Sequence, residues 1–373
     1  MNLSYWEKTA ISDPDQSIII GAGLVGLFTA IEYKTNNPKR SVLIVERAPR
    51  PYGASTKNAG FACFGSVSEI LSDINHNNKK EVEAIVSMRY QGLQTMLTHV
   101  SPEEIDYHHC GGYELFLSED EELFLACKDK IEWCNDLVES ACGLQDTYLL
   151  EEKHTLHSSP FPLIKNRHEG ALNPVKLVHA LIAKAHKQGI RFLWDCEVQS
   201  IDYETRNLST GIGIEIPYAR IAICTNAFSQ SLLPDINLTP GRNIVGVTKP
   251  IPELEIEGCY HYDEGYIYFR NVGNRLLIGG GRNRWPETET TTSFGEPEQI
   301  KTFLTQFIKE KLVPTRSIQI EHWWSGILAT AEKKEPIIQF DSDKNRVLAV
   351  RMGGMGVAIS SIVGRKAADL LNN

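Results

Sequence analysis

The chain has 373 residues, 42% hydrophobic and 23% charged, with 38 Lys+Arg against 47 Asp+Glu and a formal net charge of −9. That length can bury a sizeable core in two lobes. The acidic balance, with no block of basic residues to override it, argues against a nucleic-acid partner. The first sixteen residues are polar and carry Glu7, Asp13 and Asp15, so they do not read as a secretory signal. No run approaches a membrane span. The eight cysteines are scattered, with no C-x-x-C and no zinc-spaced Cys/His set, so a reducing, cytoplasmic home without a metal site is expected.

Ser17–Ile20 is a short apolar, β-branched run and reads as a buried strand. Gly21, Gly23 and Gly26 follow at once as G-x-G-x-x-G, and Leu24, Val25, Leu27, Phe28, Ala30 and Ile31 give a helical pattern to about Lys34. Val42–Val45 is a second buried strand, with Glu46 at its end. This βαβ context is what makes the fingerprint meaningful. Gly21 allows a tight turn, Gly23 lets a pyrophosphate approach the backbone, and Gly26 lets helix and sheet pack closely. The helix start, at Leu24 and Val25, offers N–H donors and a positive dipole end. Glu46 suits a ribose diol and would repel a 2′-phosphate, so NADP is disfavoured. A glycine-rich turn in an unrelated α/β protein is the competing reading.

Residues 47–71 are rich in Gly, Ala, Ser and Pro, with no clear helix before about Ser66. Such a loop, in place of another βα unit, suggests a bulky cofactor lying across it. A long helix follows at 79–100, a strand at 112–117 and one amphipathic helix at 119–138. Residues 147–169 are polar and loop-like. Asn173-Pro174 opens a helix over 174–188 with proline in the first turn, and Gly189 ends it. Strands are expected at 190–194 and 197–202. Runs 212–216 and 220–224 read as a pair leading back to the core, and 225–231 as a loop-to-helix step.

From Pro240 the character changes: 243–249, 266–270 and 275–279 form an antiparallel meander. Residues 285–298 are polar and read as a mobile loop. A helix at 299–312 and strands at 318–324 and 346–350 follow. Gly353-Gly354-Met355-Gly356 then runs into the last helix. That helix start is a second site for negative charge, such as the edge of a reduced flavin; plain helix docking through glycines is the alternative.

Taken together, these stretches resemble the D-amino-acid oxidase / glycine oxidase / sarcosine oxidase (DAO) family of FAD-dependent oxidoreductases, over about Ser17 to Leu371. Four marks stand in family order: IIIGAGLVGLFTAIEY with VLIVER; GASTKNAG at 53–60; ALNPVKLVHAL at 171–181; and RLLIGGG at 275–281 with GGMGVAISSIVGRKAADLL at 353–371. The resemblance implies an α/β fold (α+β in the substrate lobe): a Rossmann-like FAD-binding domain from 1–77, 171–235 and 336–373, and a mainly antiparallel substrate domain from 78–170 and 236–335. It implies that Gly21, Gly23 and Gly26 hold the FAD pyrophosphate and that Glu46 with Arg47 faces the adenosine ribose. Ser55, Thr56, Asn58, Ala59 and Gly60 would contact phosphates and isoalloxazine, and Val198 would lend backbone to the adenine. Thr225, Asn226 and Ala227 would close the adenosine end, and Gly354, Met355, Gly356 and Val357 would line the flavin's pyrimidine edge. No match to the family's flavin-tethering cysteine is seen, so FAD is expected to be non-covalent.

With flavin bound, the reaction is oxidation of a C–H next to nitrogen or oxygen, hydride passing to flavin N5, and the protein orients and polarises. The expected substrate is an amino acid or amine, with a 2-hydroxy acid as the alternative, and the acceptor is dioxygen or a quinone. A non-catalytic flavin subunit and an NAD-only dehydrogenase are further alternatives. A carboxylate substrate calls for arginine and tyrosine; the candidates are His261, Tyr266, Tyr268, Arg270 and Arg282. Strand alternation puts Tyr266, Tyr268 and Arg270 on one face, which reads equally as a solvated polar face. The family pattern C-Y-x-x-P-R stands here as GYIYFR, with Phe269 for the proline, and Gly354 replaces the family's arginine before the last helix. Arg351, three residues earlier, either substitutes for it or lies on the surface. Trp323-Trp324 wall the pocket or pack in the core. Lys57 sits near flavin or in solvent. Cys63 touches the pocket or simply packs, and His108-His109 reads as surface loop.

Overall fold

The computed structural model describes residues 3–156, 158–314, 317–331 and 334–372. Ser17–Ile20 pairs in parallel with Val42–Val45 on one side and Arg220–Ile223 on the other. Arg346–Val350 adds a further parallel strand beside Arg220–Ile223. Arg191–Leu193 and the antiparallel Ile337–Asp341 form the two edges of this six-stranded sheet.

The inner strands are buried on both faces, so they read as unbroken apolar runs. Ile19, Val42, Ile44, Ala222 and Val347 face helices Leu24–Asn36 and Gly356–Leu371. Ile18, Ile20, Leu43, Val45 and Ile221 face Leu208, Ile216 and Tyr218 of a small antiparallel sheet. Glycine sets the helix spacing: a Cβ on Gly364 would lie 2.5 Å from Phe28 Cβ, and one on Gly92, in helix Lys79–His99, 1.9 Å from the Ala358 carbonyl oxygen.

The small sheet corrects one expectation. Glu215–Pro217 pairs with Asn207–Thr210, which pairs with Val198–Asp202. It does not pair with Arg220–Ile223, which inserts in parallel beside the first strand. Two adjacent apolar runs look like a hairpin, but parallel neighbours distant in sequence claim the second.

The other lobe is an eight-stranded sheet in which Ile320–Thr330, Thr239–Thr248, Arg275–Gly280, Ile267–Val272 and Cys259–Tyr262 are consecutive neighbours, all antiparallel. Gly112–Glu114 joins in parallel, followed by Leu163–Asn166 and Tyr148–Glu151. The last two lie inside the stretch expected to be loop; pairing with a covered sheet makes strands of them despite their polarity. The expected helix at 119–138 is two, Glu121–Asp129 and Ile131–Cys142, broken at Lys130. The 285–298 stretch is anchored, since Pro286–Glu289 forms a helical turn. Its buried Glu289 accepts from Arg242 Nε and Nη2 at 2.8 and 3.0 Å.

Candidate cofactor and substrate site

The carboxyl ends of four neighbouring parallel strands meet at one edge of the six-stranded sheet, the crevice where α/β sheets bind ligands. The first ends at Gly21 (φ +103°), where a Cβ would press the Cys224 carbonyl oxygen at 3.0 Å. A Cβ on Gly26 would lie 1.9 Å from the Gly21 oxygen, and one on Gly23 2.9 Å from Ser55 Oγ. Gly23 gives the helix no side-chain cap. The cap comes from outside: Ser55 Oγ accepts from Leu24 N at 2.9 Å. Val25, like Leu24, buries its side chain, so both face the crevice through backbone alone.

The second strand ends at Glu46, whose Oε2 accepts from Ala22 N at 2.8 Å and Oε1 from Ala48 N at 3.2 Å. Arg47 is exposed and lies 3.8 Å over the Phe228 ring. Cys196 N donates to the Glu46 oxygen at 2.9 Å, bringing the chain leading to Val198 alongside. The third strand leads to Thr225, whose Oγ1 meets Ser229 Oγ at 2.8 Å. Asn226 (φ +47°) accepts on Oδ1 from Arg351 N and Met352 N at 3.0 and 3.2 Å, stitching the third and fourth turns together. The Ala227 methyl is wholly buried and leaves only its backbone available.

At the fourth turn, Gly353 has φ +56°, and a Cβ on Gly353 or Gly354 would meet nothing within 4 Å. The helix from Gly356 starts at Met355 without a side-chain cap, and Val357 is buried. Two helix starts on glycine turns without a cap from their own N-cap side chain, a glycine-lined crevice and a carboxylate at the second strand's end fit a flavin dinucleotide.

The loop at 53–60 is pinned between the lobes. Asn58 Nδ2 donates to the Ala54 and Ser55 oxygens, and its Oδ1 accepts from Gly60 N at 2.8 Å. Thr56 Oγ1 donates to the Pro51 oxygen at 3.3 Å. Gly60 (φ +74°) passes so close that a Cβ would lie 2.1 Å from the Leu172 oxygen. Trp324 Nε1 donates to the Lys57 oxygen at 2.9 Å, and Arg270 Nε to the Ala59 oxygen at 2.7 Å. The Lys57 ammonium rests 4.1 Å over Tyr52; burial, and then Arg50, lower its pKa.

Facing this loop, one cross-strand row of the eight-stranded sheet runs Trp324, Val245, Gly279, Tyr268, His261, Glu114. The expected alternation holds: Ile267 and Phe269 are wholly buried on the other face, which Trp323 shares. The Tyr268 ring lies over Gly279, where a Cβ would sit 2.5 Å from it. Asn243 Nδ2 donates to Tyr268 Oη at 3.3 Å. Among the described residues, Asn243 Oδ1 is buried without a hydrogen-bond partner. Tyr266 is 39% exposed, and the Arg282 guanidinium stands 5.6 Å over its ring. No carboxylate among the described residues pairs with Arg282.

Other candidates lie elsewhere. Arg270 directs Nη2 to the Leu172 oxygen at 3.0 Å as well as Nε to Ala59, so its donors meet backbone. His261 is buried, with Nε2 3.4 Å from Glu169 Oε2 and its ring edge-on to Phe61. Arg351 turns outward, Nε to the Glu335 oxygen and Nη1 to the Asn237 oxygen, so it does not stand in for the arginine replaced by Gly354. Cys63 is buried and His108 and His109 are exposed. Asn243, Glu169, Cys259 and Glu114 lie in no motif that the sequence shows; the structure brings them to this face of the sheet.

A mononucleotide-type crevice on one sheet, roofed through a clamped loop by a second, antiparallel sheet, is the plan of a two-lobed dinucleotide-dependent oxidoreductase. The DAO model, FAD dependent oxidoreductase, matches residues 16–370. The chain belongs to this family of FAD-dependent oxidoreductases. It is 23% identical over 207 residues to D-amino acid dehydrogenase of Vibrio atlanticus (strain LGP32), a match covering 51% of this chain and 48% of that relative. Its fold is similar to glycine oxidase from Geobacillus kaustophilus, at 17% identity and TM-score 0.76, covering 96% of this chain and 94% of that one. It is also similar to FAD-bound L-alpha-glycerophosphate oxidase from Mycoplasma pneumoniae, at 16% identity and TM-score 0.75, covering 96% and 94%. No helix among the described residues is long and apolar enough to cross a membrane.

Proposed function

We propose that this protein oxidises the C–H bond beside the nitrogen of an amino acid or related amine that carries an acidic group. The observation that carries this reading is Arg282, which among the described residues has no carboxylate partner, beside Tyr266 and near Tyr268, whose neighbour Asn243 has an Oδ1 without a hydrogen bond among those residues. An arginine fork with neighbouring hydroxyl and amide groups is the chemistry that holds a carboxylate. The family's usual arginine is replaced by Gly354, and Arg282 supplies the charge from the sheet side.

FAD, held non-covalently, supplies the hydride acceptor. The three glycines, Glu46, Ser55 and the turns at Thr225 and Gly354 hold it. Cys63 does not tether it, since its buried thiol points to the Gly170 oxygen at 3.9 Å. Tyr268 stays protonated at neutral pH because burial pushes its pKa up, so it donates but does not serve as a base. Arg270, Asn58 and Trp324 keep the cofactor loop rigid. Electrons leave to dioxygen or a quinone, and the chain works in the cytoplasm.

Anaerobic flavin reduction tests this. The yellow protein is mixed with D- and L-amino acids, glycine, N-methylated amino acids, amines and 2-hydroxy acids. Bleaching by an amino acid or acidic amine is expected, and its recovery in air separates oxidase from dehydrogenase. Bleaching by 2-hydroxy acids alone moves the reading to a hydroxy-acid dehydrogenase. No bleaching at all removes the substrate roles of Arg282 and Tyr266.

A further inference from the structure

Beside the Phe61 ring, three side chains from distant segments converge. A ligand atom from each of Cys63, Glu169 and His261 lies within 4.8 Å of the other two, and all three residues are buried. Cys259, on the same strand face as His261, brings a second thiol: its Sγ and that of Cys63 approach one carbonyl oxygen, that of Gly170, at 3.3 and 3.9 Å.

The carboxylate of the cluster is held from one side. Glu169 Oε1 accepts both Phe64 N (2.8 Å) and Gly65 N (3.0 Å), which fixes the carboxylate and leaves Oε2 pointing into the cluster. Gly112 makes room for it; a Cβ there would lie 1.9 Å from Oε2. His261 Nε2 stands 3.4 Å from that oxygen, at ion-pair distance, and makes no hydrogen bond among the described residues. An unpartnered buried nitrogen costs about 1–3 kcal/mol, a cost the fold accepts here in a pocket shared with two thiols.

We propose that Cys63, Glu169, Cys259 and His261 bind one divalent metal ion of the zinc class in a tetrahedral site. Sulfur, imidazole and carboxylate are the ligands that ion takes, and a carboxylate anchored by backbone N–H groups is the outer support such ligands need. Bonds of about 2.0–2.3 Å bring ligand atoms to within about 3.3–3.8 Å of each other, so Cys63, Glu169 and His261 close in by roughly an ångström, and Cys259, which lies outside their 4.8 Å group, turns in further. On binding, both thiols release their protons to solvent and the imidazole binds neutral. Two thiolates, a carboxylate and a divalent ion leave one negative charge. Arg270, the cross-strand partner of Cys259, offsets it. No electrons move. The ligands come from positions 63, 169, 259 and 261, so no sequence spacing reveals them.

Cobalt(II) is the probe. Full-length, flavin-containing protein is reduced, stripped with a chelator and titrated with Co(II). Red ligand-field bands, beyond the flavin absorption, are expected to saturate at one ion per chain and to vanish on adding zinc. Cys63→Ala and His261→Gln should each weaken binding on the order of 100-fold or more, while Cys127→Ala, buried elsewhere, should not. Absence of the bands in the wild-type protein overturns the proposal and leaves a buried imidazole–carboxylate pair among thiols. Unchanged titration of a folded Cys63→Ala or His261→Gln variant overturns it too. If neither variant folds, the wild-type titration decides. The experiment needs no substrate, so it stands apart from the proposed reaction.

Discussion

The Arg270 guanidinium is fixed on the cofactor loop: Nε meets the Ala59 carbonyl at 2.7 Å and Nη2 the Leu172 carbonyl at 3.0 Å. Arg270→Met leaves two half-buried carbonyls without donors, at about 1–3 kcal/mol each. Urea unfolding should show a loss of about 2–5 kcal/mol, with weaker flavin retention. Arg270→Lys should recover only part, because an ammonium lacks the planar fork. Unchanged stability with a large rise in KM would instead give Arg270 to the substrate.

Arg282 carries the opposite expectation. Its guanidinium stands 5.6 Å over the Tyr266 ring and pairs with no carboxylate among the described residues, so Arg282→Met should leave unfolding and flavin content unchanged. A charge-assisted carboxylate contact contributes about 1.5–3 kcal/mol. KM for acidic substrates should therefore rise roughly 10- to 150-fold, as read from flavin reduction at graded concentrations. Neutral amines should be unaffected.

Two glycines of the crevice should behave differently. Gly26→Ala places a Cβ 1.9 Å from the Gly21 oxygen, backbone that cannot yield, and should lower the melting temperature even without cofactor. A Cβ at Gly354 meets nothing within 4 Å, so Gly354→Ala should leave the flavin-free protein as stable as before. Its cost should appear only in flavin affinity, measured by fluorescence quenching on titration with FAD.

Glu114 gives the fold a pH dependence. Burial pushes its carboxyl up to about 7, against partial relief from Ser68. A carboxyl with a raised folded pKa contributes stability below its unfolded value of 4.5, and loses it as pH rises through 7. That loss is on the order of 3 kcal/mol. Glu114→Gln should flatten the stability profile between these pH values and make the protein more stable at pH 8 than the wild type, by denaturant titration at each pH.

The cofactor crevice was legible because its signals are local. Three glycines in six positions, β-branched runs on either side and an acid at the second strand's end need no distant partner to be recognised. Strands Tyr148–Glu151 and Leu163–Asn166 are not legible, because Lys165 and Asn166 break the alternation of the second, which is ordered by pairing with Gly112–Glu114, and the first is ordered by pairing with the second. Arg220–Ile223 was recognised as a strand but given the wrong neighbour, since proximity in sequence outweighs nothing that sequence can show of Ser17–Ile20. At the substrate side, alternation placed Tyr266, Tyr268 and Arg270 on one face. It cannot tell that Arg270 reaches backbone while Arg282 stands over Tyr266 with no carboxylate partner among the described residues. His261 was chosen for its residue type, and burial against Glu169 removed it from the pocket.

The strand order of the parallel sheet sets a timetable for synthesis. Ser17–Ile20 emerges with Val42–Val45 close behind, but its other neighbour begins at Arg220. At roughly 5–20 residues per second, the nascent first strand waits about ten to forty seconds with an open edge. The next strand, Arg346–Val350, and the helix Gly356–Leu371 that covers the sheet emerge later still. The cofactor crevice therefore has no complete floor until the helix Gly356–Leu371 has left the ribosome, and flavin capture waits for it.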